Sequence, residues 1–126
     1  MMGTITENNI FTDIISREDF FRRFSSSEEK ENWFTEKELE TFGQKRLSGS
    51  LAARYLVRKR IADQVGMNTP VTEIEILNDP FGKPEIRFSE LWQAALSRAG
   101  FRSVVCSLSH SRNYITSLTI FTRNGA

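Results

Sequence analysis

The chain has 126 residues, 17 Lys and Arg against 16 Asp and Glu, and one histidine, for a net charge of +1. That balance gives no electrostatic reason for a nucleic-acid partner, so any basic site must be a local cluster. A hydrophobic fraction of 39% with 10 Phe supports one core, and the length fits a single domain over residues 1–126.

The N-terminal "MMGTITENN" has neither the basic start nor the apolar stretch of a signal peptide, and no apolar run approaches the roughly 20 residues of a membrane span. The first predicted helix is "SREDFFRRF". Ser16 caps it, and Ile15 and Phe20 are spaced as a hydrophobic staple. "SSSEEKEN" then reads as a polar loop. A second helix opens at "FTEKELETF", with Thr35 and Glu38 as a capping box and Phe34 and Leu39 as a staple. "GQKRLSGS" breaks it. A third helix runs through "SLAARYLVRKRIADQVG", with Ser50 as its cap and Gly66 as its stop. Its apolar residues fall almost all round the helical wheel, with Arg54, Arg58, Lys59, Arg60 and Asp63 set among them, so it packs on several sides.

The periodicity then changes. "VTEIEIL" alternates and reads as a strand, "NDPFGKP" is turn chemistry, and "EIRF" is the returning strand. "SELWQAALSRAG" is a fourth helix, capped by Ser89 and stopped by Gly100. "SVVCSLS" and "YITSLTIF" are joined only by "HSRN" and form an antiparallel hairpin. Cys106, the single cysteine, gives no disulfide framework; it fits a reducing cytoplasm and reads as a small buried residue. The order of helices, hairpin, helix, hairpin predicts an α+β fold, an antiparallel sheet of hairpins packed with a long central helix.

No Gly-rich phosphate loop, Cys/His metal spacing or serine nucleophile elbow is present. His110 is either a structural, solvated residue at a turn or, with the neighbouring hydroxyls and Arg112, an anion contact. "GQKR" and "AARYLVRKR" are basic clusters, and Gly82 lets the backbone of its turn come close to a ligand beside Lys83.

Four stretches, in order, resemble the holo-acyl-carrier-protein synthases, the small group of phosphopantetheinyl transferases. They are "FTEKELETF", "LAARYLVRKRIADQVG", "IEILNDPFGKPEI" and "VVCSLSHSRNYITSLTIF", together spanning about residues 34 to 122. The resemblance implies the phosphopantetheinyl transferase fold. It also implies transfer of phosphopantetheine from coenzyme A to a serine of an acyl carrier protein, with magnesium at the pyrophosphate and a homotrimer with sites at subunit interfaces. Carried over by residue, it implies a metal-binding role for Asp13, although the glycine expected two places earlier is Phe11. It implies coenzyme A contacts at Lys45, Arg46, Arg54, Gly82, Lys83, Pro84, Ser109 and His110. It implies that Arg17, Arg22 and Arg23 grip the acidic carrier protein.

One departure stands out. The family's Lys-Glu pair in the central helix is Arg58-Lys59 here, so a metal-binding Glu is a lysine, and the family's later Lys is Asp63. Lys59 and Asp63 lie at i and i+4 and can pair across one turn. A lysine offers only donors and cannot hold magnesium. Three readings follow for this catalytic pair. Lys59 replaces the metal's charge by meeting the pyrophosphate as a point cation, or Asp63 recovers part of the metal coordination; otherwise the fold binds coenzyme A or a carrier protein without transfer.

Overall fold

The computed structural model describes residues 8–43, 48–66 and 70–124. Strand β1, Asn8–Ser16, opens the described chain. Helices α1 (Arg17–Arg23) and α2 (Ser27–Trp33) follow. Helix α3, Glu36–Glu38, runs on into a π-helical turn over Leu39–Gly43. The central helix α4 spans Gly49–Val65, and a 3-10 turn at Val71–Glu73 leads into β2, Ile74–Asn78. Strand β3 (Pro84–Phe88), helix α5 (Glu90–Arg98) and strands β4 (Phe101–His110) and β5 (Tyr114–Arg123) complete the order.

The α+β class holds, with every strand pair antiparallel. The strands form two ladders: β5 lies between β1 and β4 in one, and β2 pairs only with β3 in the other. Helix α4 packs across the larger sheet, against all three of its strands. Its burial is nearly complete, from Gly49 through Arg58 and again at Ile61. That is the packing expected of a helix with no polar face.

The helix divides the interior. On one side the aromatic rings of Phe20, Phe24, Phe34 and Tyr55 pack on Leu51, with Phe24 and Tyr55 centred 5.0 Å apart edge to face. On the other, Val57 and Ile61 meet Ile74, Ile76, Trp92 and Phe121. The indole of Trp92 is satisfied by donating to the Pro70 carbonyl at 3.0 Å. Cys106 is partly buried on the inner face of the sheet, where burial pushes its thiol up to about 11.

Most termini carry the expected caps. Ser16, Thr35 and Ser89 accept from the third backbone N–H of their helices, and the Thr35–Glu38 capping box is complete. Gly66 and Gly100 follow α4 and α5 at φ 71° and 89°.

Several expectations need correction. The polar run after α1 is helical: Ser26 caps it by accepting from the Glu29 N–H, and Glu28 and Glu29 favour its first turn. It buries no residue fully, and only Trp33 at its end packs on the core, so no apolar periodicity announces it. The cap of α4 is Ser48 rather than Ser50. Ser48 is extended and accepts from the Leu51 N–H, while Ser50 is already helical and its carbonyl takes a bond from Arg54. The start of "VTEIEIL" is a 3-10 turn, and pairing begins only at Ile74. Strand β1 was absent from the sequence reading altogether. It carries apolar side chains on both faces, with Phe11 and Ile15 inward and Ile10 and Ile14 outward, so no alternation marks it.

One ion pair joins these parts. Glu38 and Arg58 are both fully buried and bonded to each other. The same Glu38 accepts from the Thr35 N–H and the Ile76 N–H, both at 2.8 Å, and Arg58 donates to the carbonyls of Val71 at 3.0 Å and Ile74 at 3.1 Å. Burial pulls the Arg58 guanidinium below its usual range, while the Glu38 charge opposes that. Removing one partner strands a buried charge. Glu38→Ala is therefore expected to cost about 3–5 kcal/mol in urea denaturation, and a loss below about 1 kcal/mol, the scale of an exposed pair, would contradict this role.

Candidate functional site

Helix α4 presents its charged residues to different surroundings. Arg54 is buried, donating from Nε to the Ile76 carbonyl at 2.7 Å, from Nη1 to the Ser50 carbonyl at 3.1 Å and from Nη2 to Asn78 Oδ1 at 2.9 Å. Its guanidinium lies 3.6 Å from the centroid of the Phe42 ring. Burial pulls it down to about 10, with the Glu38 charge opposing, so it stays charged at neutral pH. Through Asn78, Arg54 is tied to the strand that enters the "NDPFGKP" turn. In that turn Asp79 Oδ1 accepts from the Phe81 N–H at 2.8 Å and the Lys83 N–H at 2.9 Å. Gly82 takes φ 85°, a left-handed value that disfavours side chains. Phe81 projects from the tip, 88% exposed.

On the outer part of α4, Lys59 donates to Asp63 Oδ2 at 2.8 Å, as the spacing predicts. The neighbouring Arg60 reaches across to β1. Its Nε donates to Asp13 Oδ2 at 3.0 Å and its Nη2 to Asp13 Oδ1 at 2.6 Å. Asp13 is legible through the resemblance, whereas Arg60 carries no sequence mark as its partner, because the pair joins residues 47 apart through a strand without apolar alternation.

Ser109 and His110 end β4. Arg17, the first residue of α1, holds the turn beyond them: Nε donates to the Arg112 carbonyl at 2.9 Å and Nη2 to the Ser111 carbonyl at 2.8 Å. A cleft of about 620 Å³ opens beside His110, lined by Arg17, Phe21, Phe24, Ser25, Lys30, Ser48 and Gly49. Its floor includes the N-terminus of α4, whose free N–H groups favour anions. Gly49 makes room here, since a Cβ would lie 2.8 Å from the imidazole Cγ of His110. Lys30 and Gly49 were also missed; Lys30 belongs to the helix read as a loop, and Gly49 to a turn placed before the cap.

The structure thus brings His110 together with Arg17, and Lys59 with Asp63. Gly82 and Lys83 lie in the β2–β3 turn and Pro84 opens β3, and none of the three lines the His110 cleft. Arg22 is paired with Glu18 at 2.8 Å and Asp19 at 3.1 Å, and Arg23 with Glu29 at 2.8 Å. These exposed pairs are each worth at most about 1 kcal/mol and exchange readily for another acidic partner. Lys45 and Arg46 lie outside the described residues.

The donors around Asp13 do not fit magnesium. Both Asp13 oxygens accept from Arg60, and Asp63 is taken by Lys59. Among the described residues no group of three or more His, Cys, Asp and Glu side chains is placed to hold a metal ion.

In overall architecture the chain has the phosphopantetheinyl transferase fold. A solved Chronobacterium ammoniagenes ACPS–CoA complex matches it with a TM-score of 0.75 at 20% identity, covering 94% of this chain and 98% of that one. Among curated proteins, holo-[acyl-carrier-protein] synthase of Fusobacterium nucleatum is 34% identical over 118 residues, covering 88% of this chain and 95% of the relative. That of Ruminiclostridium cellulolyticum is 31% identical over 118 residues, covering 86% and 87%. No family model matches the chain. The chain belongs to the holo-[acyl-carrier-protein] synthase family.

The contact at Gly49 is open to test. Gly49→Ala is expected to push the imidazole aside, shifting the His110 ring resonances in a proton–carbon NMR spectrum, at a stability change within about 1–3 kcal/mol. Unmoved ring resonances in a folded variant would contradict this packing.

Proposed function

We propose that the protein transfers phosphopantetheine from coenzyme A to a serine of an acyl carrier protein, releasing adenosine 3',5'-bisphosphate. The observation that carries this reading is the position of His110, at a strand end, against the first turn of α4 and in a cleft with Arg17 and Lys30. A cleft walled by cations and a helix N-terminus suits phosphates. Family membership supplies the reaction class.

In the transfer, the serine Oγ attacks the phosphorus attached to pantetheine. The new P–O bond forms as the pyrophosphate bridge breaks, and a base or water takes the serine proton. Charge grows on the departing phosphate, so cations held in place lower the barrier. We assign Lys59 and Asp63 to the reacting end, and Ser109 and His110 to the phosphates. Arg54, Gly82, Lys83 and Pro84 are assigned to the nucleotide side, with Lys45 and Arg46. Arg17, Arg22 and Arg23 on α1 are assigned to the acidic carrier, in line with the exposed, exchangeable pairing of the last two.

Assembly as a homotrimer is part of the proposal. It is supported by the outward face of the larger sheet, where Ile10, Ile14 and Val105 are 62%, 63% and 54% exposed. Such a face favours a protein partner. Among the described residues no helix is long and apolar enough to cross a membrane, and we place the reaction in the cytoplasm.

A second reading is favoured by the Asp13–Arg60 pair: a homologue that binds coenzyme A or a carrier protein without transfer. Mass spectrometry of an apo carrier protein incubated with coenzyme A and this protein separates the two. A gain of the phosphopantetheine mass is expected, and no gain with any carrier from the same organism leaves only the binding reading. His110→Ala is expected to weaken coenzyme A binding about tenfold, by loss of one bond to a charged phosphate. An unchanged Kd would remove His110 from the site.

A further inference from the structure

Asp13, Arg60, Asp63 and Lys59 form one alternating set of charges. Arg60 is held charged by its bonds to Asp13, against partial burial, and the fields of Asp13 and Asp63 both add to that. Lys59 is held charged by its bond to Asp63, while the nearby Arg60 opposes it. Two carboxylates and two cations therefore stand within electrostatic reach, and their charges cancel without any ion.

A divalent cation placed at Asp13 would have to break a bidentate ion pair and then sit beside two positive side chains. An anion faces the opposite balance. Lys59 is half exposed, with donors beyond the one spent on Asp63. The Arg60 fork is steadied over the Phe11 ring, its carbon 4.6 Å from the centroid, and spends only one edge on Asp13. Both side chains can thus bond phosphate oxygens while keeping their carboxylate partners. The two carboxylates then orient the cations rather than ligate a metal.

We propose that Lys59 and Arg60 grip the pyrophosphate of coenzyme A in place of a divalent cation, so that this chain binds coenzyme A without metal. The proposal rests on the coenzyme A reading above and names how that ligand is held.

Calorimetric titration of the purified protein with coenzyme A, in EDTA and again in magnesium chloride, is the first arm. The Kd values are expected to agree within about twofold, and tightening by magnesium of about tenfold or more overturns the proposal while leaving coenzyme A as the ligand. Absence of binding in both buffers overturns the ligand reading and this proposal with it. The second arm uses manganese alone, followed by electron paramagnetic resonance. The wild-type protein is expected to leave the free-ion signal intact, and uptake of manganese that is lost in Asp13→Asn overturns the proposal whatever coenzyme A does. Lys59→Ala and Arg60→Ala, checked for folding by circular dichroism, are each expected to weaken coenzyme A binding in EDTA about tenfold. A folded variant of either kind with an unchanged Kd counts against that cation.

Discussion

The buried pair of Glu38 and Arg58 sets the positions of the other parts. Neither side chain touches water, so each must find all its partners within the protein. Glu38 finds them in its own capping box and in the Ile76 N–H of β2; Arg58 bonds Glu38 and the carbonyls of Val71 and Ile74 at the start of that strand, and among the described residues only its Nη1 is left without a partner. The result fixes α3, α4 and the β2–β3 hairpin in one register. With Arg58 pinned inward, the next two residues of the helix, Lys59 and Arg60, are directed to the outside and to β1. The candidate site's charged edge is therefore a by-product of an inward-facing neighbour.

Two kinds of charge use coexist on the same helix. Arg54 and Arg58 are buried and spend their donors on backbone carbonyls, the Asn78 amide oxygen and one carboxylate, which makes them structural whatever else they do. Lys59 and Arg60 are at least partly exposed and spend theirs on carboxylates alone. Only the second kind keeps donors for a ligand: Lys59 has those beyond its one bond to Asp63, and Arg60 has those beyond the edge spent on Asp13.

Much of this was legible in the sequence because the signals were local. Ser16, Thr35 with Glu38, and Ser89 mark helix starts through bonds that span three residues, and Gly66 and Gly100 mark helix ends through backbone conformation. The two hairpins follow from short turns between alternating runs. What escaped depends on distance or on missing contrast. Strand β1 is apolar on both faces, α2 buries no residue fully, and the Asp13–Arg60 and Glu38–Arg58 pairs join residues 47 and 20 apart. Spacing identified Lys59 with Asp63 because one helical turn suffices to bring them together. It placed the cap of α4 two residues late, at Ser50, because both serines satisfy the pattern and only the backbone geometry separates them.

Arg17 belongs to α1 by sequence and to the β4–β5 turn by its bonds. Its guanidinium and its own N–H all end on carbonyls of Ser111, Arg112 and Asn113, immediately after His110. The helix and the turn are thus mechanically one piece. Whatever docks on α1 and displaces it by a fraction of an ångström also pulls on the strand end that carries the imidazole. Occupancy of the helix surface and the aim of His110 are consequently linked variables, and a partner that never enters the cleft can still retune it.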